Sequence, residues 1–243
     1  MISTERTPQE TSASEKLIVA LDFPDATQAL ALADRLKGRC RWFKVGLELY
    51  ISAGNSVINA LKKRDFKVFL DLKLHDIPNT VAGAVRSTGV LGADMLTVHA
   101  SGGPAMLAAA AEAAAGLPHP PRLLAVTVLT SMDVAQLAAT GIPRTPKEQA
   151  LRLAKMAHAA GIQGLVCSPE EASQMRRGLP DSVLVTPGIR PAGAAIGDQK
   201  RIATPSAALK AGADHLVVGR PITQAEDPAG AAEAILQEIA VVG

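Results

Sequence analysis

Aromatic residues are scarce in this chain: four Phe, one Trp and one Tyr in 243 residues. A surface that stacks nucleic-acid bases needs a row of such rings, so that class of binder is not expected. Neither sign of charge dominates. Twenty-five Lys and Arg face 23 Asp and Glu, a formal +2, and the two signs are interspersed, which leaves no basic stripe for a polyanion. The two cysteines, Cys40 and Cys167, lie far apart and have no CxxC or Cys/His cluster around them. They read as reduced, structural thiols rather than zinc ligands. No apolar run reaches the ~18 residues needed to cross a bilayer. The first fifteen residues, MISTERTPQETSASE, are polar and lack the apolar core of a signal peptide. The expectation is a cytoplasmic protein with no membrane or nucleic-acid partner, in which residues 1–15 form a flexible tail.

What the chain does have is aliphatic. Its apolar fraction is 48%, mostly Ala, Leu and Val, enough to fill one large core. Short apolar runs recur from end to end: LIVALD (17–22), FKVGLEL (43–49), KVFLDLK (67–73), MLTVHA (95–100), LLAVTVL (123–129), GLVCS (164–168), VLVTPGI (183–189) and HLVVGR (215–220). Ala/Leu-rich helical patterns separate them, several opened by a polar residue or Pro and closed by Gly. Strands that alternate with helices pair in parallel through right-handed crossovers. Eight such units with no break in composition predict a single-domain (β/α)8 TIM barrel over residues 16–243. The structural rival is an open doubly wound sheet, but no Gly-x-Gly-x-x-Gly follows the first strand. The longest connection, SMDVAQLAATGIPRT (131–145), is the natural candidate for a lid.

Barrel enzymes carry their chemistry at the carboxyl ends of the strands. Polar residues gather there: Asp22, Lys44, Asp71 with Lys73, His99 with Ser101, Thr130 with Ser131, Arg190, and Gly219 with Arg220. In the third run, a period of two sends Asp71 and Lys73 to one face and Leu70, Leu72 and Leu74 to the other. Charges pointing into a barrel mouth need opposite partners. Asp22, Lys44, Asp71, Lys73 and Asp76 supply that alternation. A purely structural ion-pair cluster explains the pairing, but not its position where ligands bind. The turns TPGIRP (186–191) and LVVGRPI (216–222) follow the last two strands, where phosphate sites form in this fold. Backbone N–H groups at Gly219 and Arg220 and the side chains of Arg190 and Arg220 could hold an anion.

The segment DLKLHDIPNT (71–80) resembles the signature of the orotidine 5′-phosphate decarboxylase family. The resemblance extends over nearly the whole chain, through LDF (21–23), FKVG (43–46), TVLTS (127–131), TPGIRP, DQKR (198–201) and VVGRPI (217–222) in the family's order. It implies that Lys73 is the proton donor, held between Asp71 and Asp76, with Lys44 in the same catalytic array. It further implies that Asp22 and Lys44 bind ribose hydroxyls and that Thr130 or Ser131, with Thr130 preferred, contacts the pyrimidine. Pro187 would line the substrate site. Arg190, Gln199, Gly219 and Arg220 would grip the phosphate, with loop movement permitted at Gly193 and Gly197. Asp76, Ile77 and Thr80 are implied to serve the neighbouring subunit's site, making the protein a homodimer with shared sites. No metal and no organic cofactor are implied.

The implied chemistry suits the residues. Loss of CO₂ from C6 of an orotate ring leaves electrons in an sp² orbital without π delocalisation. A preorganised cation beside C6 must then stabilise them, and the same lysine delivers the proton. One rival is a Mg²⁺-dependent sugar-phosphate decarboxylase or lyase with a related Asp-x-Lys-x-x-Asp core; His75 and IPNT around that core resemble the orotidylate enzyme instead. The other is a non-catalytic phosphate-binding barrel. His75 is expected to be a packed or hydrogen-bonded residue, and His99 either lines the pocket or packs. His119, His158 and His215 are expected to stand outside catalysis, and the methionines to fill core.

Overall fold

The computed structural model describes residues 13–191 and 201–242. Eight strands close into one parallel barrel in chain order. They are β1 (Leu17–Ala20), β2 (Trp42–Gly46), β3 (Lys67–Leu74), β4 (Met95–His99), β5 (Arg122–Val126), β6 (Gly164–Val166), β7 (Val183–Thr186) and β8 (His215–Val218), and β8 returns to pair with β1. The expected alternation of strand and helix is therefore the observed architecture, with an outer ring of helices around the barrel.

Period-2 alternation divides the apolar residues into two cores. Ile18, Ala20, Trp42, Phe69, Met95, Leu124, Val185 and Val217 point inward and plug the barrel. Val19, Phe43, Val45, Val68, Leu70, Leu96, Val98 and Leu165 point outward against the helices. Each large side chain buried this way stabilises the fold by about 1.5–3 kcal/mol. Two cores built from aliphatic residues account for a fold that needs few aromatics. The plug fills the lower barrel, so any ligand is confined to the carboxyl-end mouth.

Helix starts follow the expected punctuation. Pro146 and Pro169 occupy first turns, and capping boxes join Thr145 to Glu148 and Asp133 to Gln136. A pyrrolidine ring at that position costs no hydrogen bond, because first-turn N–H groups have no partner inside the helix. The 131–145 connection itself contains a short helix, Val134–Ala139.

Three local expectations are corrected. The run FKVGLEL does not stay extended: β2 ends at Gly46, and Leu47–Ala53 is a helix. Gly46 supplies the extended N-cap, and Glu48 sits in the first turn, where the helix dipole favours an acid. HLVVGR likewise ends as a strand at Val218, and Arg220–Thr223 forms a helical turn. At the N-terminus, residues 13–16 are helical and Ala13 and Ser14 are buried. Glu15 accepts a hydrogen bond from Trp42 Nε1 (3.0 Å) and pairs with Arg41 (2.9 Å). The end of the segment expected to be a loose tail is thus tied to the amino-terminal rim of the barrel.

Candidate active site

The site begins in the inward register of β1, β2 and β3. Lys44 on β2 faces Phe69 and Gly46 faces Asp71 across the ladder, and Asp22 lies just beyond β1. These positions chain four charges together. Lys44 Nζ lies 2.9 Å from Asp22 Oδ1 and 3.7 Å from Asp71 Oδ2, and Lys73 Nζ donates to both Asp71 oxygens at 2.9 Å. Asp71 is only 8% exposed. A buried carboxylate is tolerated when ammonium groups and hydrogen bonds compensate it, and here two lysines do so. Gly46 has a steric role in the same chain, because a Cβ there would stand 2.9 Å from Lys44 Nζ. Each carboxylate in the cavity already has an ammonium partner. Among the described residues, no group of three or more His, Cys, Asp or Glu could hold a metal ion.

The array opens into a cavity of about 480 Å³ at the barrel mouth. Asp22, Lys44, Asp71 and Lys73 form one wall; Thr130 and Ser131 stand at the exit of β5; Pro187 and Arg190 follow β7, and Gly219 and Arg220 follow β8. Phe69, Val126, Val166 and Val217 make an apolar floor. Ten of the expected site residues therefore converge on one cavity. Arg190 is buried, with Nη1 donating to its neighbour's carbonyl at Ile189 (2.8 Å).

Asp76, Ile77 and Thr80 do not join them. All three are exposed on the segment from the end of β3 into the helix Pro78–Val90, and none lines the cavity. The Asp76 carboxylate accepts from the N–H of Ile77 (2.6 Å), and in this subunit Lys73 is paired with Asp71, not held between two aspartates. Gln199, Gly193 and Gly197 lie outside the described residues.

Two contributors escaped the sequence reading. Thr97, fully buried on β4, accepts from the Lys73 N–H (2.8 Å) and donates to Asp71 Oδ1 (3.0 Å). Its signal was present, since it sits between Met95 and His99 on the inward face of MLTVHA. The other is Arg201, a buried guanidinium that pairs with Glu171 and donates to the carbonyls of Val128 (3.2 Å) and Leu129 (2.9 Å). It thereby holds the chain just before Thr130. Burial lowers its pKa below the ordinary arginine value. No local pattern in DQKR marks such a tie, because its partners lie 30 to 73 residues away.

His75 and His99 stack with ring centroids 5.3 Å apart, and His99 Nδ1 is 2.7 Å from Ser101 Oγ. His75 was expected to be packed or hydrogen-bonded; its ring stacks on His99, although the residue is exposed because β3 ends before it. Burial, then the charges of His75 and Lys73, pushes the His99 pKa below its ordinary 6.5. Burial does the same to His215, against a hydrogen bond to the Glu15 carbonyl. Both rings stay neutral in the fold but take up protons in the unfolded chain as pH falls through 6.5. Their contribution to stability is present above that pH and is lost below it, down to the folded-state values. Thermal unfolding at pH 7.5 and 5.5 is expected to show a lower midpoint at 5.5. The drop is expected to be smaller in His215→Asn, and an unchanged drop there would remove His215 from the account.

A closed barrel with a Lys/Asp chain on one side of its mouth and two arginines on the other defines a class: a barrel enzyme that handles a small anionic substrate by electrostatics. Comparison with known proteins narrows it. A protein of Halorhodospira halophila named orotidine 5′-phosphate decarboxylase is 57% identical over 229 residues, 94% of this chain and 97% of its own. One of that name from Chromobacterium violaceum is 52% identical, covering 96% and 94%. The crystal structure of orotidine 5′-phosphate decarboxylase from Lactobacillus acidophilus superposes with a TM-score of 0.82 at 41% identity, over 93% of this chain and 99% of that one. The family model described as "Orotidine 5'-phosphate decarboxylase / HUMPS family" matches residues 15–235, and the chain belongs to that family.

Proposed function

We infer that this protein converts orotidine 5′-phosphate to uridine 5′-phosphate and CO₂. The observation that carries the reading is the unbroken charge chain Asp22–Lys44–Asp71–Lys73 at the cavity wall. Strand order supports a substrate pose. Because β8 pairs with β1, the exits of β7, β8, β1, β2 and β3 are consecutive around the mouth. Phosphate at Arg190, Gly219 and Arg220, ribose at Asp22 and Lys44, and the pyrimidine C6 at Lys73 follow that order. Thr130 or Ser131 then meets the ring edge from β5, and the apolar floor lies beneath the ring.

Catalysis in this pose needs little more than fixed charges. As the C6–CO₂ bond breaks, its electron pair stays on C6. The Lys73 ammonium, held by Asp71, stabilises that developing charge without reorganising and then gives C6 a proton. Asp71 also faces the substrate carboxylate, and their repulsion is relieved as CO₂ leaves. Binding energy from the remote phosphate offsets the cost of holding that strained ground state.

In the same reading the protein is a cytoplasmic homodimer. Among the described residues no helix is long and apolar enough to cross a membrane. Asp76, Ile77 and Thr80 are exposed and do not line their own cavity, and Ile77 is 67% exposed. An apolar side chain flanked by functional groups suits a surface covered by a second copy whose site it completes. Gln199 is assigned to the phosphate with Arg190.

The test is direct: incubate the purified chain with orotidine 5′-phosphate and follow its loss with and without EDTA. Equal turnover in both is expected. Turnover abolished by EDTA would favour a metal-dependent reaction, and nucleotide binding without turnover would favour a silent barrel.

A further inference from the structure

Lys73 has an unusual backbone. Its φ is +50°, in the left-handed region that an L-residue with a long side chain seldom occupies. The cause lies in the pairing of β3 with β4. Leu70 pairs with Leu96, but the next pair is Leu74 with Val98, so β3 advances four residues while β4 advances two. An unbroken ladder would place Lys73 opposite His99. The bulge holds it back level with Thr97, about 7 Å deeper in the barrel at the usual rise of a strand.

The contact that holds it there is a single hydroxyl. Thr97 Oγ1 accepts from the Lys73 N–H (2.8 Å) and donates to Asp71 Oδ1 (3.0 Å). The regular ladder is interrupted between Leu70 and Leu74, and within that interruption the Lys73 N–H donates to this hydroxyl. One side chain thus fixes both the backbone of the lysine and the carboxylate paired with its ammonium. Thr97 is fully buried, and its neighbours Leu96 and Val98 anchor this stretch of β4 in the outer core.

We propose that Thr97 is a positioning residue for the reaction: its hydroxyl holds the bulged β3 backbone so that the Lys73 ammonium stands beside Asp71 at the depth of the cavity wall. The proposal rests on the decarboxylase reading. Without the hydroxyl, the partly buried N–H loses this acceptor and the strained residue relaxes towards extended backbone. The ammonium then leaves its seat while the phosphate and ribose contacts remain.

The test compares Thr97→Val, Thr97→Ala and Thr97→Ser with the unaltered protein, measuring kcat, KM, affinity for uridine 5′-phosphate and thermal midpoint. Valine preserves the volume without the hydroxyl, and alanine removes the hydroxyl with no risk of overpacking. Both are expected to lower kcat by about 10- to 100-fold, the cost of leaving buried polar groups without partners, with product affinity within about threefold. Serine, which restores the hydroxyl, is expected to recover most of kcat. A kcat near that of the unaltered protein in either valine or alanine overturns the proposal. So does a serine variant as slow as valine, which would assign the effect to packing of the methyl group. Absence of turnover by the unaltered protein overturns the functional reading and this inference with it.

Discussion

A Lys73→Ala variant is expected to release CO₂ at least about 10⁴-fold more slowly, because in the proposed mechanism one substitution removes both the electrostatic partner of the C6 carbanion and the proton donor. Binding of uridine 5′-phosphate is expected to stay within about tenfold. In the proposed pose its phosphate and ribose contacts come from Arg190, Gly219, Arg220, Asp22 and Lys44, which line the same cavity and do not depend on the lost ammonium. Asp71 retains Lys44 at 3.7 Å and the Thr97 hydroxyl at 3.0 Å, so the wall is not left wholly uncompensated. Single-turnover decarboxylation and product titration calorimetry on the same preparation separate the two effects. Near-normal turnover would sink the mechanism. Loss of product binding together with turnover would make Lys73 a binding group instead.

The second large effect is expected at Asp76. Its carboxylate lies outside the cavity of its own subunit, yet the assigned role places it in the neighbour's. Asp76→Ala is expected to give folded dimers with activity lower by at least about 10²-fold, although no cavity-lining residue has changed. Mixing these with Lys73→Ala protein and allowing subunits to exchange then provides the discriminating measurement. In a mixed dimer, one site combines an intact Lys73 from one chain with an intact Asp76 from the other. Random exchange makes half the dimers mixed, so roughly a quarter of all sites recover. No recovery, with exchange shown by mass spectrometry, would place Asp76 in its own subunit's site or outside catalysis altogether.

The segment DLKLHDIPNT shows how far local pattern reaches. Alternation correctly placed Asp71 and Lys73 towards the mouth and Leu70, Leu72 and Leu74 against the helices. Its reach ends at Leu74, where the strand ends, and it gives no sign of the bulge, because it assumes an unbroken ladder. The bulge between Leu70 and Leu74 comes from β4, whose residues are over twenty positions away. Arg201 shows the same limit: DQKR is an unremarkable polar run until the fold brings Glu171, Val128 and Leu129 around it. Gly46 lies between these cases. Its place after FKV was visible, but the reason a side chain there would displace the Lys44 ammonium from its seat beside Asp22 is visible only in the fold.

By itself the sequence pointed to the barrel, because hydrophobic periodicity and helix punctuation are properties of neighbouring residues and can be read without any long-range contact. It also determined that charged and small residues would collect at the strand ends, since residue identity and strand position decide that together. Only the tertiary structure decided how those groups are held: Lys73 with a left-handed backbone in β3, Thr97 hydrogen-bonded to it, Arg201 tied to the carbonyls before Thr130, and Asp76 exposed outside the lining of its own cavity. Lys73, Thr97 and Arg201 each depend on a partner from another strand or loop, and Lys73 also on a backbone angle that local preference disfavours.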